Sequence, residues 1–207
     1  MQRIYQDIDF SLNQTQELVK QTAFHEAGHA ASIYLGNKTK QLPPVYFQIQ
    51  ISQSNNNQQY AKVIGGYLIE NFPGVELIKK HHIKKEHSSK LEQAYKADVI
   101  NLLVGPLAEA KYVSIRDGEA LNFNLLNTHA LSYYGGSSDV EKAYTYIDYF
   151  VESRSQGEEL MLDLFSEAFQ FIENAQTWKR ILNLAYYILE SKNEIVSCEK
   201  AIEVLDT

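Results

Sequence analysis

The sequence predicts a mainly α protein with one small β element, and three observations carry that prediction. Apolar residues recur at three- and four-residue intervals along most of the chain, the period of a helix with one buried face. A single stretch, Val45 to Ile51, alternates apolar and polar residues strictly, which is the period of a strand. The composition, 44% hydrophobic and 22% charged over 207 residues, suits a globule able to bury a real core, and the length fits one domain spanning residues 1–207. A net charge of −7 with no basic stripe excludes an electrostatic nucleic-acid binder. The one cysteine, Cys198, excludes an intrachain disulfide or a cysteine-based metal site and suits a reducing, cytoplasmic location. No stretch approaches the roughly 18 apolar residues of a membrane span, and Met1–Phe10 lacks the apolar core of a signal peptide.

In chain order, Ser11 reads as the N-cap of a helix running to Leu35, with Gly36 just past its end. Leu18, Thr22, His25, His29 and Ser32 share one face of it, and the other faces are small or apolar, so the helix reads as buried on most sides. Pro43-Pro44 ends what precedes it. The alternating strand then leads through a polar loop, Ser54–Gln59, into a second strand, Tyr60–Ile69, interrupted by Gly65-Gly66; together they read as an irregular hairpin. Such a hairpin either covers the core or offers an edge to an extended peptide. Lys79–Lys90 holds His81, His82 and His87 among lysines without helical spacing, and reads as a solvated loop rather than a second metal site.

From Leu91 the helical period returns and carries Asp98; Gly105-Pro106 is expected to kink or split the helix before it continues through Glu109 to Ile115. Residues 117–136 are polar and aperiodic, an irregular insertion. Three further helical patterns follow, around Val140–Val151, Met161–Ile172 and Trp178–Leu189, and a short one, Glu199–Leu205, closes the chain.

Chemistry concentrates in His25-Glu26-Ala27-Gly28-His29. On a helix, His25 and His29 stand one turn apart on the same face and can share one metal ion, while Glu26 lies about 100° round, within reach of a water on that metal. Two imidazoles and a carboxylate are costly on an apolar face without such a partner. Gly28 costs the helix about 1 kcal/mol relative to Ala, which implies that something needs room there. The pattern is that of zinc hydrolases in which Glu is the general base. Two histidines need a third ligand. The extended form of the motif would require Gly at position 32 and His at 35, where Ser32 and Leu35 stand. The acids further on, Asp98, Glu109 and Asp139, remain as candidates, and Asp139, at a helix start after Gly-Gly-Ser-Ser, reads equally as a ligand or as a first-turn acid.

Thr22-Ala23-Phe24-His25-Glu26-Ala27-Gly28-His29-Ala30 resembles the metal-binding helix of the peptidase domain of FtsH-type ATP-dependent zinc metalloproteases. Leu102–Glu109 is similar to that family's Gly-Gly-Arg-x-Ala-Glu-Glu segment, Gly136-Ser137-Ser138-Asp139 to its Gly-Ala-Ser-Asn-Asp segment, and the closing helices to its last elements. The resemblance runs from about residue 15 to the end. It implies a helical zinc-peptidase domain in which Zn²⁺ is held by His25, His29 and Asp139, Glu26 is the base, and Glu109 orients a histidine as a neighbour of the metal ligands. The chain departs from the pattern at Ala110, where the family has a second Glu, and at Pro106, where it has Arg, and it looks expanded between His29 and Asp139. No GxxxxGK phosphate loop and no anchoring membrane segment occurs in these 207 residues. The expectation is therefore a stand-alone zinc endopeptidase that acts on short or unfolded peptides or is fed by a separate ATPase, with homo-oligomerisation open. Two alternatives remain: an adaptor or assembly partner of FtsH-type proteases with a structural metal, and a hydrolase of non-peptide amides.

Overall fold

The computed structural model describes residues 4–53, 59–69, 85–149 and 151–207. Among these, six helices and a three-stranded antiparallel sheet match the mainly α expectation with its small sheet. Helix α1 spans Ile4–Ala31 and continues through a π-helical turn, Ser32–Gly36, into a last turn, Asn37–Thr39. Ser11 is thus inside the helix rather than at its cap, since no Gly or Pro interrupts the residues before it. Gly36 likewise does not end it: its backbone is helical (φ −64°, ψ −49°), and the left-handed residue that turns the chain is Gln41 (φ 54°).

Helix α2, Lys85–Arg116, is the centre of the molecule. Every residue from Ala97 to Ala110 is buried, so this section has no solvent face and neighbours cover it on all sides. It begins at Lys85 rather than Leu91, because Lys85–Lys90 contain no apolar residue to show a helical period, and His87 falls on it; His81 and His82 lie outside the described residues. Pro106 does not split it. The Pro106 ring instead packs against the backbone of Gly136, where any Cβ would sit 2.6 Å from Pro106 Cβ.

Helices α1 and α2 cross at Gly28, where an added Cβ would meet Ala108 Cβ at 2.7 Å and the Val104 carbonyl oxygen at 2.9 Å. That close approach is the room the helix-breaking residue provides. Residues 117–136 are irregular as expected, with short 3₁₀ turns at Phe123–Leu125 and Ala130–Tyr134. Then follow α3 (Ser137–Asp148), α4 (Arg154–Glu173), α5 (Ala175–Glu190) and α6 (Cys198–Leu205). Side chains of Ser153, Asn174 and Ser197 accept N–H bonds at the starts of α4, α5 and α6. Helix α5 buries Ile181, Leu184, Ala185 and Ile188, each large side chain contributing about 1.5–3 kcal/mol. Phe24 of α1 stacks on Tyr112 of α2 (4.2 Å between centroids) and on Trp178 of α5 (5.8 Å).

Strands β1 (Phe47–Gln53) and β2 (Gln59–Gly65) form the hairpin, with Ile49 opposite Val63. Phe47, Ile49 and Ile51 turn inward. The second strand ends at Gly65 rather than Ile69, because Gly65 and Gly66 take positive φ (83° and 87°) and turn the chain out of the ladder. Residues 54–58 of the expected loop lie outside the described residues. A two-residue strand, β3 (Ile195–Val196), pairs with β1 on its other side; it is too short to show a period in the sequence. Among the described residues, the order β2-β1-β3 leaves β2 with an edge free of any further strand. No helix among the described residues is long and apolar enough to cross a membrane.

Candidate metal centre

The stripe His25, His29, Ser32 on α1 lies antiparallel to a stripe on α2, and side chains meet pair by pair across the crossing. His25 Nδ1 donates to Glu109 Oε2 at 3.0 Å and also lies 3.2 Å from the Tyr134 carbonyl. His29 Nδ1 donates to the Asn101 carbonyl oxygen at 2.7 Å. Ser32 Oγ is 2.7 Å from the Asn101 side-chain amide. With Nδ1 used in this way on both rings, both Nε2 atoms are left facing the same place. This is how a protein fixes the tautomer and aim of a metal-binding imidazole.

Asp139 enters that place from the first turn of α3. Its Oδ2 lies 3.2 Å from His25 Nε2 and 3.8 Å from His29 Nε2. No side chain caps α3, whose N-cap is Gly136, so the Asp139 carboxylate is committed to the histidines rather than to its own helix end. The turn before α3 depends on glycine at two points. Gly135 has a left-handed backbone (φ 68°), and a Cβ there would press on Glu109 Oε2 and on the His25 ring at 3.2–3.4 Å. Gly136 admits Pro106, as described above.

Three donor atoms, one each from His25, His29 and Asp139, lie within 4.8 Å of one another. Tetrahedral zinc with bonds of about 2.0–2.1 Å spaces its donors by about 3.3 Å, so small side-chain adjustments close the set around one ion. Room for the His29 ring is built in, since a Cβ at Gly105 would lie 2.3 Å from its Nε2. The charge balance points the same way. Burial opposes a charged His25, but Asp139 and Glu109, with Glu26 nearby, outweigh it and raise its pKa to about 10. Burial also opposes a charged Asp139, yet the hydrogen bonds to His25 and His29 hold its carboxyl well below the usual range. Three carboxylates around two imidazoles favour a cation among them. The geometry, the donor chemistry and the glycine cradle all fit a metal ion at His25, His29 and Asp139.

No family model matches the chain, and no curated protein matches it either. The site is therefore read from its own geometry. Glu26, the residue beside the first histidine, lines the same cavity of about 230 Å³ as the two histidines and Asp139. Its Oε2 accepts the Val63 backbone N–H at 2.6 Å, which ties the carboxylate to the free edge of β2.

The other two acids on the candidate roster lie elsewhere. Glu109 is buried behind His25 on its Nδ1 side, away from the converging Nε2 atoms. Asp98 is not near the metal group: it is fully buried, and its two oxygens accept the N–H groups of Leu68 and Ile69, each at 2.9 Å. Desolvation raises its pKa to about 6 against the opposing pull of those two bonds and of Lys142. Sequence reasoning missed Asn101, Gly105 and the Val63 N–H. Asn101 alone left a trace, a polar side chain inside the apolar run Val99–Val104; backbone donors and acceptors leave none.

Proposed function

We propose that this protein is a zinc-dependent peptidase in which His25, His29 and Asp139 hold the metal and Glu26 is the general base. The observation that carries the reading is the convergence of His25 and Asp139, 114 residues apart, on a point that His29 also faces, with the Glu26 carboxylate lining the same cavity. The resemblance of Thr22–Ala30 to the FtsH-type peptidase helix supports it from the sequence side. Zinc, when bound, supplies Lewis acidity that polarises a carbonyl and makes water acidic.

The chain's own residues do the rest. Glu109 and the Asn101 carbonyl hold the two rings by their Nδ1 atoms and so keep both Nε2 atoms aimed at the common point. Glu26 takes a proton from the attacking water and returns it to the departing amine nitrogen as the C–N bond breaks, so that carboxyl and amine products together account for the water. The free edge of β2 fits an extended peptide laid beside it as a further strand. Val63 N–H then bonds the incoming peptide and releases Glu26 to act as base. An extended backbone is the form of short peptides and unfolded chains, which a separate ATPase could also deliver. The single, buried Cys198 suits a reducing, cytoplasmic setting.

Two measurements on the purified protein test this. Zinc content should be about one per chain, and Glu26→Gln should retain the zinc and the fold while cleavage of an unfolded test protein falls by about 10²–10⁴-fold. Undiminished cleavage by that variant would remove Glu26 from the mechanism. A zinc-loaded wild type that cleaves nothing would leave a structural metal in an assembly partner as the better reading.

A further inference from the structure

We propose that Asp98 is a positioning residue for the metal cavity, through a backbone strap that it holds in place. After β2 the chain leaves the sheet at Gly65 and Gly66 and runs as a strap, Gly66–Ile69, along one side of the cavity, with Gly65, Gly66 and Tyr67 in its wall. The Gly66 N–H still bonds the Tyr46 carbonyl beside the hairpin, but beyond it the strap belongs to no ladder, so the Leu68 and Ile69 N–H groups need partners from elsewhere. Asp98 supplies them in bidentate fashion, Oδ1 to Leu68 and Oδ2 to Ile69. Tyr146 of α3 donates its hydroxyl to the Ile69 carbonyl oxygen at 2.9 Å, and Lys142 lies 3.5 Å from the centroid of the Tyr67 ring. Underneath, the backbone of Gly66 presses on Ile33, where a Cβ would come within 2.4 Å of Cδ1.

The burial of Asp98 makes the clamp specific. A carboxylate with no exposed surface is costly in the centre of the core, and among the described residues the hydrogen bonds its oxygens accept come from the strap. None of the bonds that aim His25 and His29 passes through it. Asp98 therefore fixes the wall beside the metal without touching the metal set. Gly65, Gly66 and Tyr67 line the same cavity as Glu26 and Val63, so a peptide held beside β2 in that cavity lies against the strap. This assignment rests on the metal-peptidase reading of the site.

The test uses zinc-loaded full-length protein and two probes, acetohydroxamate, which reaches only the metal, and a tripeptide hydroxamate, which also lies along the wall. Asp98→Asn keeps one acceptor and turns an amide toward the second N–H. It should speed hydrogen exchange at Leu68 and Ile69 by tenfold or more, leave zinc stoichiometry unchanged, and weaken the tripeptide hydroxamate by about tenfold with acetohydroxamate unaffected. Tyr146→Phe removes the hydroxyl that holds the Ile69 carbonyl and should give the same tripeptide-selective loss, a few-fold in size, if the Asn variant does not fold. Unchanged exchange at Leu68 and Ile69 would overturn the clamp. Faster exchange with unaltered tripeptide affinity, or an equal loss for both probes, would overturn the positioning role. If the wild type binds neither hydroxamate, the metal-peptidase reading falls and the positioning role with it, while the exchange data still show whether Asp98 holds the strap.

Discussion

Gly105→Ala is the sharpest single perturbation that the structure offers, because it separates the metal site from the fold. A Cβ at position 105 would lie 2.3 Å from His29 Nε2, 2.4 Å from Cε1 and 2.7 Å from Cδ2. Ordinary carbon contacts lie near 3.5–4.0 Å, so the ring must move by about 1 Å or more. The ring is the mobile end of a side chain, so the fold can yield: overpacking costs about 1–3 kcal/mol, and the gain from replacing a helical Gly with Ala returns about 1 kcal/mol. The ring itself cannot move without giving up the 2.7 Å bond from Nδ1 to Asn101 or turning Nε2 away from Asp139. Loss of a neighbour that orients a metal-bound imidazole costs 10–100-fold in metal affinity, and misaiming the ligand nitrogen itself costs more. The expected variant has a urea midpoint close to that of the wild type and zinc affinity lowered by about 100-fold or more, read by competition with a chromogenic chelator. Zinc affinity within about threefold of wild type, with the fold intact, would show that His29 does not bind metal in the direction its hydrogen bond dictates.

Two further outcomes follow from the same geometry. Asp139→Asn should lose zinc as fully as His29→Ala, because the carboxylate faces the histidines and no side chain caps α3; retention of zinc by the Asn variant, measured by elemental analysis after dialysis, would exclude Asp139 as a ligand. Asp98 should give the fold a pH dependence of unusual sign. Burial raises its folded pKa to about 6 from 3.8, so the native state holds a proton that the unfolded chain has released. Its contribution to stability is therefore full below about pH 4 and lost as the pH rises through about 6. Comparing wild type with the non-titrating Asp98→Asn at pH 4 and 7 by urea unfolding should show a difference on the order of 2–3 kcal/mol in that direction, and parallel profiles would refute it.

How much of this was legible beforehand depends on where each feature stores its information. Helices α3 to α6 announce themselves because one face is buried and the other wet, which imprints the 3.6-residue period. The start of α2, Lys85–Lys90, has no apolar residue, and β3 is two residues long, so neither leaves a pattern. His25, Glu26 and His29 are readable because their geometry is local to one helical turn. Asp139 is not, since nothing local distinguishes a ligand from a first-turn acid; only the resemblance favoured it, and the fold then places its carboxylate at the histidines. Asp98 was visible as an acid in an apolar run, but its partners are backbone N–H groups 29 and 30 residues earlier, and such partners have no residue identity to read.

The placement of polar groups on α2 explains why the central helix tolerates them. Asp98, Asn101, Gly105 and Glu109 follow one another at intervals of three, four and four, a single stripe on one side of the otherwise apolar section Ala97–Ala110. Each serves a different part of the cavity: the strap, the His29 nitrogen, the space for the His29 ring, and the His25 nitrogen. On α1 the facing stripe is His25, Gly28, His29 and Ser32, and the two run in opposite directions, so that early residues of one meet late residues of the other. A buried polar seam of this kind is tolerable only when every member finds its partner, since a half-satisfied one is worse than an apolar core. Sliding either helix by one turn would misplace every pair together: Ser32 would lose Asn101, His29 would meet a side chain instead of Gly105, and His25 would lose Glu109. The two glycines lock that register sterically, and the hydrogen bonds lock it chemically. The helix crossing that forms the core is thus the same contact that aims the metal ligands, and only a change that displaces a single ring, as at Gly105, disturbs the aim while the crossing holds.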